Sequence, residues 1–284
     1  MKREPQPTGE LPGRVVLPQR SSVRWPDDSR LAVLLSFDCY GGEAFSSIPF
    51  VATTFDYGLR RGIWHILESF DKLDVKATFH FPGVTAAAHP RVVEAVAQAG
   101  HDVAALGYRY EPHWDFTEAE ERESIQQTIA AIEGVIKERP TGWRTPQSRP
   151  SLYTLPLLCQ LGFVWDSSLR NDELPYRMEF DEGALIEIPF GGANDYQNYY
   201  GFPPPSPPAH KVFSVWHEEL NVLYEESERQ RTMLILCLHP TFHGRPAELD
   251  ELERFITRIK NLDGAWFARC SDVAHWWVRN QNWT

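Results

Sequence analysis

Cysteine is scarce and unpaired. Cys39, Cys159, Cys237 and Cys270 are the four in 284 residues, and no C-x-x-C spacing occurs. Cys159 and Cys237 lie in apolar contexts, so they read as free thiols in a reducing compartment. Long hydrophobic runs are missing as well. No apolar stretch approaches the ~20 residues of a membrane span. The opening residues, M-K-R-E-P-Q-P-T-G-E, hold no apolar core of a signal peptide. A cytoplasmic location is the expectation. Positive charge is in deficit, with 28 Lys and Arg against 39 Asp and Glu for a net charge of −11. That argues against nucleic acid or an anionic membrane as partner and leaves a small molecule. There is no fixed-period repeat and no low-complexity array.

What is present suits a globular protein: 42% of residues are hydrophobic and 13% aromatic, in a chain long enough to bury a large core. Residues 1–25, rich in Pro, Gly, Arg and Ser, read as an extended arm that Val15, Val16 and Leu17 can pin to a surface, such as that of a neighbouring subunit. From residue 26 to 284, strand and helix patterns alternate seven or eight times without a composition break. The spacing predicts strands at 31–40, 76–81, 101–106, 142–144, 163–166, 184–189, 233–239 and 265–268. Helices are predicted between them, one opened by the capping box Thr117–Glu120. A long loop is expected from Gly41 to about Asp56. A second, aromatic and proline-rich one at about 191–210 (Tyr196, Tyr199, Tyr200, Phe202) reads as a lid or an interface. The pattern is α/β, one domain, with a mainly parallel sheet.

The informative stretch is L-A-V-L-L-S-F-D-C-Y, residues 31–40. It is a buried strand that ends in a carboxylate. Asp38 either caps the next turn or is a catalytic carboxylate at the C-terminal end of a barrel strand. His239 ends another buried strand. It is either a hydrogen-bonded core histidine or a proton donor with a tunable pKa.

The ordered pieces S-F-D, K-A-T-F-x-x-P-G, G-H-D, P-T-G-W-R-T-P and L-H-P resemble the polysaccharide deacetylase (NodB-homology) superfamily, from about Trp25 to the C-terminus. Within it, Y-G-L-R-R-G-I-W-H-I-L-E, S-S-L-R-N-D-E-L-P-Y and H-G-R-P look most like the intracellular branch. That branch holds peptidoglycan-deacetylase-like proteins, cyclic imidases and metal-independent bacterial allantoinases. The resemblance implies a distorted (β/α)7 barrel of NodB-homology type, with the site at the C-terminal strand ends. It also implies a homo-oligomer, a tetramer being common in the branch.

Carried over by motif, Asp38 is the base, His239 the acid and Arg144 the residue that pairs with and orients Asp38. The family's zinc-ligand positions fall on Tyr40, Leu106 and Tyr110, which do not ordinarily bind zinc. No metal or other cofactor is therefore expected. The alternative is a rebuilt site from Asp38, His80, His113 and His239. Tyr40, Tyr110, Arg109, Trp143 and Glu43 are the candidate substrate-binding residues; Tyr40, Tyr110 and Trp143 can equally be packing, and Arg109 a solvent-facing loop residue. His101 reads as structural, and His243 lies in the loop after L-H-P, within reach of a substrate. The reading is a metal-independent hydrolase of a small cyclic amide, imide or ureide. Its alternatives are a metal-dependent N-deacetylase (or deformylase) and a non-catalytic ligand-binding member.

Overall fold

A computed structural model of the chain describes residues 12–45, 49–191, 194–195 and 208–280. The aromatic positions 196–202 of the expected lid lie outside them. Ten strands are described: β1 Arg14–Val16, β2 Leu31–Asp38, β3 Thr78–Phe81, β4 Asp102–Ala105, β5 Gly142–Trp143, β6 Trp165–Asp166, β7 Tyr176–Phe180, β8 Gly183–Glu187, β9 Thr232–Leu238 and β10 Ala265–Ala268. In space β9, β2, β3, β4, β5, β6 and β8 follow one another, all parallel. These seven are the parallel sheet that the alternation predicts. β10 pairs with the first half of β2, and β7 and β1 extend the sheet antiparallel beyond β8. The path of described strands stays open between β8 and β9. One isolated parallel bridge, Asp195 to Cys237, lays the chain that leaves β8 against β9. The molecule is a single α/β domain of the (β/α)7 type.

The two-residue period of a strand decides which side chains see the interior. Leu31, Val33, Leu35 and Phe37 of β2 face the helices and pack with Ile63, Ile66 and Phe70. Ala32 and Leu34 face the other way, into a cluster with Ile186, Ile235 and Cys237. Each such fully buried Leu or Phe contributes about 1.5–3 kcal/mol. Continuing the alternation puts Ser36 and Asp38 on the inner face. On β9, Leu234, Leu236 and Leu238 pack outward and Met233, Ile235 and Cys237 inward, so His239 follows on the inner face.

Three local readings gain detail. Within the arm, Arg14–Val16 form β1, which pairs with β7 of its own chain, Val15 opposite Met178. β7 was passed over because its alternation (Tyr176 and Met178 buried, Arg177 and Glu179 partly exposed) sits next to charged turn residues. The loop expected from Gly41 to Asp56 is largely helical: a helix spans Pro49–Tyr57 and runs on through a π-type turn, Gly58–Gly62, into the helix Ile63–Leu73. The glycines explain the turn. A Cβ on Gly62 would sit 2.2 Å from the Pro240 carbonyl oxygen, and one on Gly244 would sit 2.1 Å from the Gly62 Cα. This close approach seats the loop that follows His239 against the helix.

Candidate active site

Asp38 closes β2 and is 6% exposed. Arg144, next after β5, is buried and donates five hydrogen bonds. Nη1 reaches Asp38 Oδ1 at 2.8 Å and Cys237 Sγ at 3.4 Å; Nη2 reaches the Ser36 and Ser167 hydroxyls, both at 3.0 Å; Nε reaches the Ser167 carbonyl at 2.9 Å. Burial opposes the guanidinium charge, but the adjacent Asp38 carboxylate outweighs it and holds the pKa of Arg144 above its ordinary value. Asp38 is thus gripped through Oδ1, and among the described residues Oδ2 has no hydrogen-bond partner. A carboxylate fixed through one oxygen and open at the other is the geometry a general base requires.

His239 is buried, with Nδ1 3.2 Å from the Tyr40 hydroxyl and Nε2 3.5 Å from Asp195 Oδ1. Arg170 Nη2 donates to the other oxygen of Asp195 at 2.9 Å. Neither Asp195 nor Arg170 was found by sequence reasoning, which treated 191–210 only as a lid. The available signal was an Asp in the loop directly after the strand at 184–189. Its placement depends on the bridge to β9, which no local pattern announces.

The positions that the resemblance assigns to zinc hold no ligand set. Tyr40 and Leu106 are buried with Phe55 in an apolar cluster against which Tyr110 packs, the two tyrosine rings 4.4 Å apart. Burial pushes both phenols well above their ordinary pKa, helped at Tyr40 by Tyr110 and then Asp38, and at Tyr110 by the Asp38 and Asp195 carboxylates. They stay protonated hydrogen-bond donors, and Leu106 has no donor atom at all. The rebuilt site is not assembled either. His113 is committed to Glu121 at 2.8 Å, in a buried network where Glu121 also accepts from Ser151 and Thr154. His80 lies beside Asp38 (Nδ1 to Oδ1 3.9 Å), and burial, then Arg144, push its pKa well down. Among the described residues, Asp195, Cys237 and His239 do come within 4.8 Å of one another. But Arg144 lies on Cys237 and Arg170 on Asp195, and burial, then Asp38, hold the Cys237 thiol well above its usual pKa. Two guanidinium groups thus already hydrogen-bond to two of the three members of this group.

The remaining candidates divide. Tyr110 lines a cavity of about 120 Å³ with Asp38, Asp195 and Phe190. Glu43 accepts from Thr85 and His89, tying the loop after β2 to the helix Gly83–Ala88. Arg109 is exposed and reaches the Glu43 carbonyl at 3.4 Å. Trp143 is fully buried in the outer core against Phe163 and His113; it precedes Arg144, so alternation turns it away from the interior. His101 accepts from the Ala77 amide. His243 stacks on Trp216 and accepts from the His239 amide, which directs it into the core and not toward the cavity.

Behind Arg144, Asp166 and Glu187 face each other across β6 and β8, both buried. Burial raises the pKa of each, and the charge of Asp166 adds to the rise at Glu187. The pair therefore holds a proton that the same carboxyls lose near pH 4 when unfolded. Its contribution to stability is complete below that pH and is lost as pH rises through the folded pKa, with a slope of at most ~1.4 kcal/mol per pH unit for one proton. Replacing Glu187 by Gln should flatten the fall in melting temperature between pH 5 and 8. An unchanged or steeper fall would contradict the shared proton.

A parallel α/β fold with a buried carboxylate, an arginine and a histidine at strand ends places its titratable groups where such folds carry their chemistry. Residues 46–165 match the polysaccharide deacetylase family model. A crystal structure of a polysaccharide deacetylase-type protein from Mycobacterium smegmatis has a TM-score of 0.84 and 30% identity, over 92% of this chain and 94% of that one. The structure of PuuE allantoinase has a TM-score of 0.82 and 27% identity, over 90% and 93%. The peptidoglycan deacetylase of Helicobacter pylori (strain ATCC 700392 / 26695) is 25% identical over 250 residues, 75% of this chain and 82% of that protein. The chain belongs to the polysaccharide deacetylase (NodB-homology) family. It is a hydrolase of that family, acting on carbon–nitrogen bonds other than peptide bonds.

Proposed function

We propose that the protein hydrolyses a small cyclic amide, imide or ureide without a metal. The observation that carries this reading is the Asp38–Arg144 pair at a small polar cavity, next to zinc-ligand positions filled by Tyr40, Leu106 and Tyr110. The likeness to PuuE allantoinase is in keeping with it.

In this mechanism Asp38 takes a proton from water as the oxygen adds to the carbonyl carbon. The tetrahedral oxyanion accepts from a tyrosine hydroxyl, Tyr110 being the one that lines the cavity. The C–N bond then breaks, and the nitrogen takes a proton from His239, which Asp195 orients from the Nε2 side. The ring opens to an acid and an amine or urea; Asp38 then releases its proton and His239 takes one up, which resets both groups.

Magnitudes favour an activated carbonyl. A bound zinc would lower the pKa of water from ~15.7 to ~7. A general base supplies ~10²–10⁴-fold and one oxyanion donor about 3–4 kcal/mol. Those terms suit a strained or electron-poor ring carbonyl better than an ordinary acetamide.

The test is turnover of a panel of cyclic imides and ureides, and of an N-acetyl sugar, before and after exhaustive chelation. Ring opening that survives chelation is the expected result. Stoichiometric zinc lost together with activity, or turnover of the N-acetyl sugar alone, would overturn the proposal. Asp195→Asn should lower kcat about 10–100-fold with little change in KM and move the alkaline limb of the pH–rate profile to lower pH, because Asp195 acts through the proton donor His239 and not on the substrate. A change in KM alone would place Asp195 on the substrate instead.

A further inference from the structure

The charges around the cavity do not cancel. Asp38 is matched by Arg144 at 2.8 Å, and Asp195 by Arg170 at 2.9 Å. Both guanidinium groups also flank the Phe190 ring, at 4.7 and 4.9 Å from its centroid. Arg149 lines the same cavity, and among the described residues its side chain has no hydrogen bond, ion pair or ring contact. It is a surplus cation at the mouth of a site in a protein of net charge −11.

Its backbone is held in place. The turn before it, Pro146–Ser148, carries two successive non-glycine residues in the left-handed region, Gln147 at φ 59° and Ser148 at φ 51°. Such conformations persist where the surroundings enforce them, commonly at ligand clamps. Here the Ser148 amide donates to the Thr145 carbonyl at 3.0 Å, the Arg149 amide to the Pro146 carbonyl at 3.3 Å, and the Trp114 amide to the Arg149 carbonyl at 3.2 Å. The turn is anchored on both sides, while the guanidinium has no partner among the described residues. At ~10–15 Å³ per water-sized volume, the cavity holds roughly ten waters, the size of a five- or six-membered ring with one substituent.

We propose that the substrate carries a carboxylate, and that Arg149 binds it while the ring carbonyl faces Asp38. This names the substrate class of the site described above and rests on the cyclic-amide reading. Arg149 is a specificity residue: it recognises a planar anion with two parallel donors.

The test uses matched pairs with the full chain: hydantoin-5-acetate against 5-methylhydantoin, and dihydroorotate against dihydrouracil. The quantity read is the ratio of kcat/KM, carboxylate over neutral. The wild-type ratio should be at least about 10, falling about 10–100-fold in Arg149→Gln, with part of it restored in Arg149→Lys. Arg149 is exposed, so these variants should fold. A wild-type ratio of one or less, or a ratio indifferent to Arg149→Gln, would overturn the inference and leave the cyclic-amide reading standing. If no ring is opened at all, the cyclic-amide reading fails and calorimetric binding decides. Carboxylate members bound by the wild type and weakened at least tenfold by Arg149→Gln support the anion site; absent or unweakened binding overturns it.

Discussion

Asp38→Asn should lower kcat by at least about 10³-fold and leave a folded protein. The amide keeps the shape and an oxygen that can still accept from Arg144, but it cannot take a proton from water. General-base help is worth ~10²–10⁴-fold by itself, and the base is the step on which the others depend. The variant does leave the buried Arg144 charge without its carboxylate. Four other hydrogen bonds that Arg144 donates, to two serines and a cysteine sulfur, limit the damage to a few degrees in melting temperature. Steady-state kinetics on any ring that the wild type opens, with a thermal melt of each protein, are the measurements. Full activity in the folded variant would remove Asp38 from the mechanism.

Arg144→Met should have the largest effect on stability. It strands the Asp38 carboxylate, 6% exposed, and leaves the Ser36 hydroxyl and the Ser167 carbonyl and hydroxyl short of a donor. Removing one partner of a buried ion pair typically costs about 3–5 kcal/mol, or roughly 6–15 °C in a chain of this size. Arg144→Lys keeps the charge but not the fork that bonds to Asp38, Ser36 and Ser167 together, so it should melt closer to wild type yet still lose turnover. In the double variant Asp38→Asn/Arg144→Met no charge is stranded, and stability should recover relative to Arg144→Met alone. A double variant less stable than Arg144→Met would show that the pair is not the reason for the loss.

Much of this site was legible from strand parity. A buried strand ending in S-F-D, another ending in L-H-P and a short one ending in W-R mark Asp38, His239 and Arg144 as residues that follow an apolar run. The alternation of β2 and β9 then sends Asp38 and His239 inward with no structural knowledge. Trp143 follows the same rule with the opposite result. It is one residue from Arg144 and therefore points to the outer core, which its aromatic character alone could not reveal. His113 and His80 could not be assigned from sequence, because one is decided by Glu121, on a helix, and the other by its register opposite Asp38.

The sequence by itself determined the alternating α/β order and the strand ends that carry titratable groups. Those are properties of period and residue type, and both are local; the substitution of three zinc-ligand positions is what the family resemblance implies. Only the tertiary structure decided that Asp195 meets His239, that Arg170 neutralises Asp195, and that Arg149 lines the cavity of Asp38 with no side-chain partner among the described residues. Each of these depends on where the chain after β8 meets β9 or on a strained turn after β5, and charge pairing across such distances is set by packing, which no local pattern encodes.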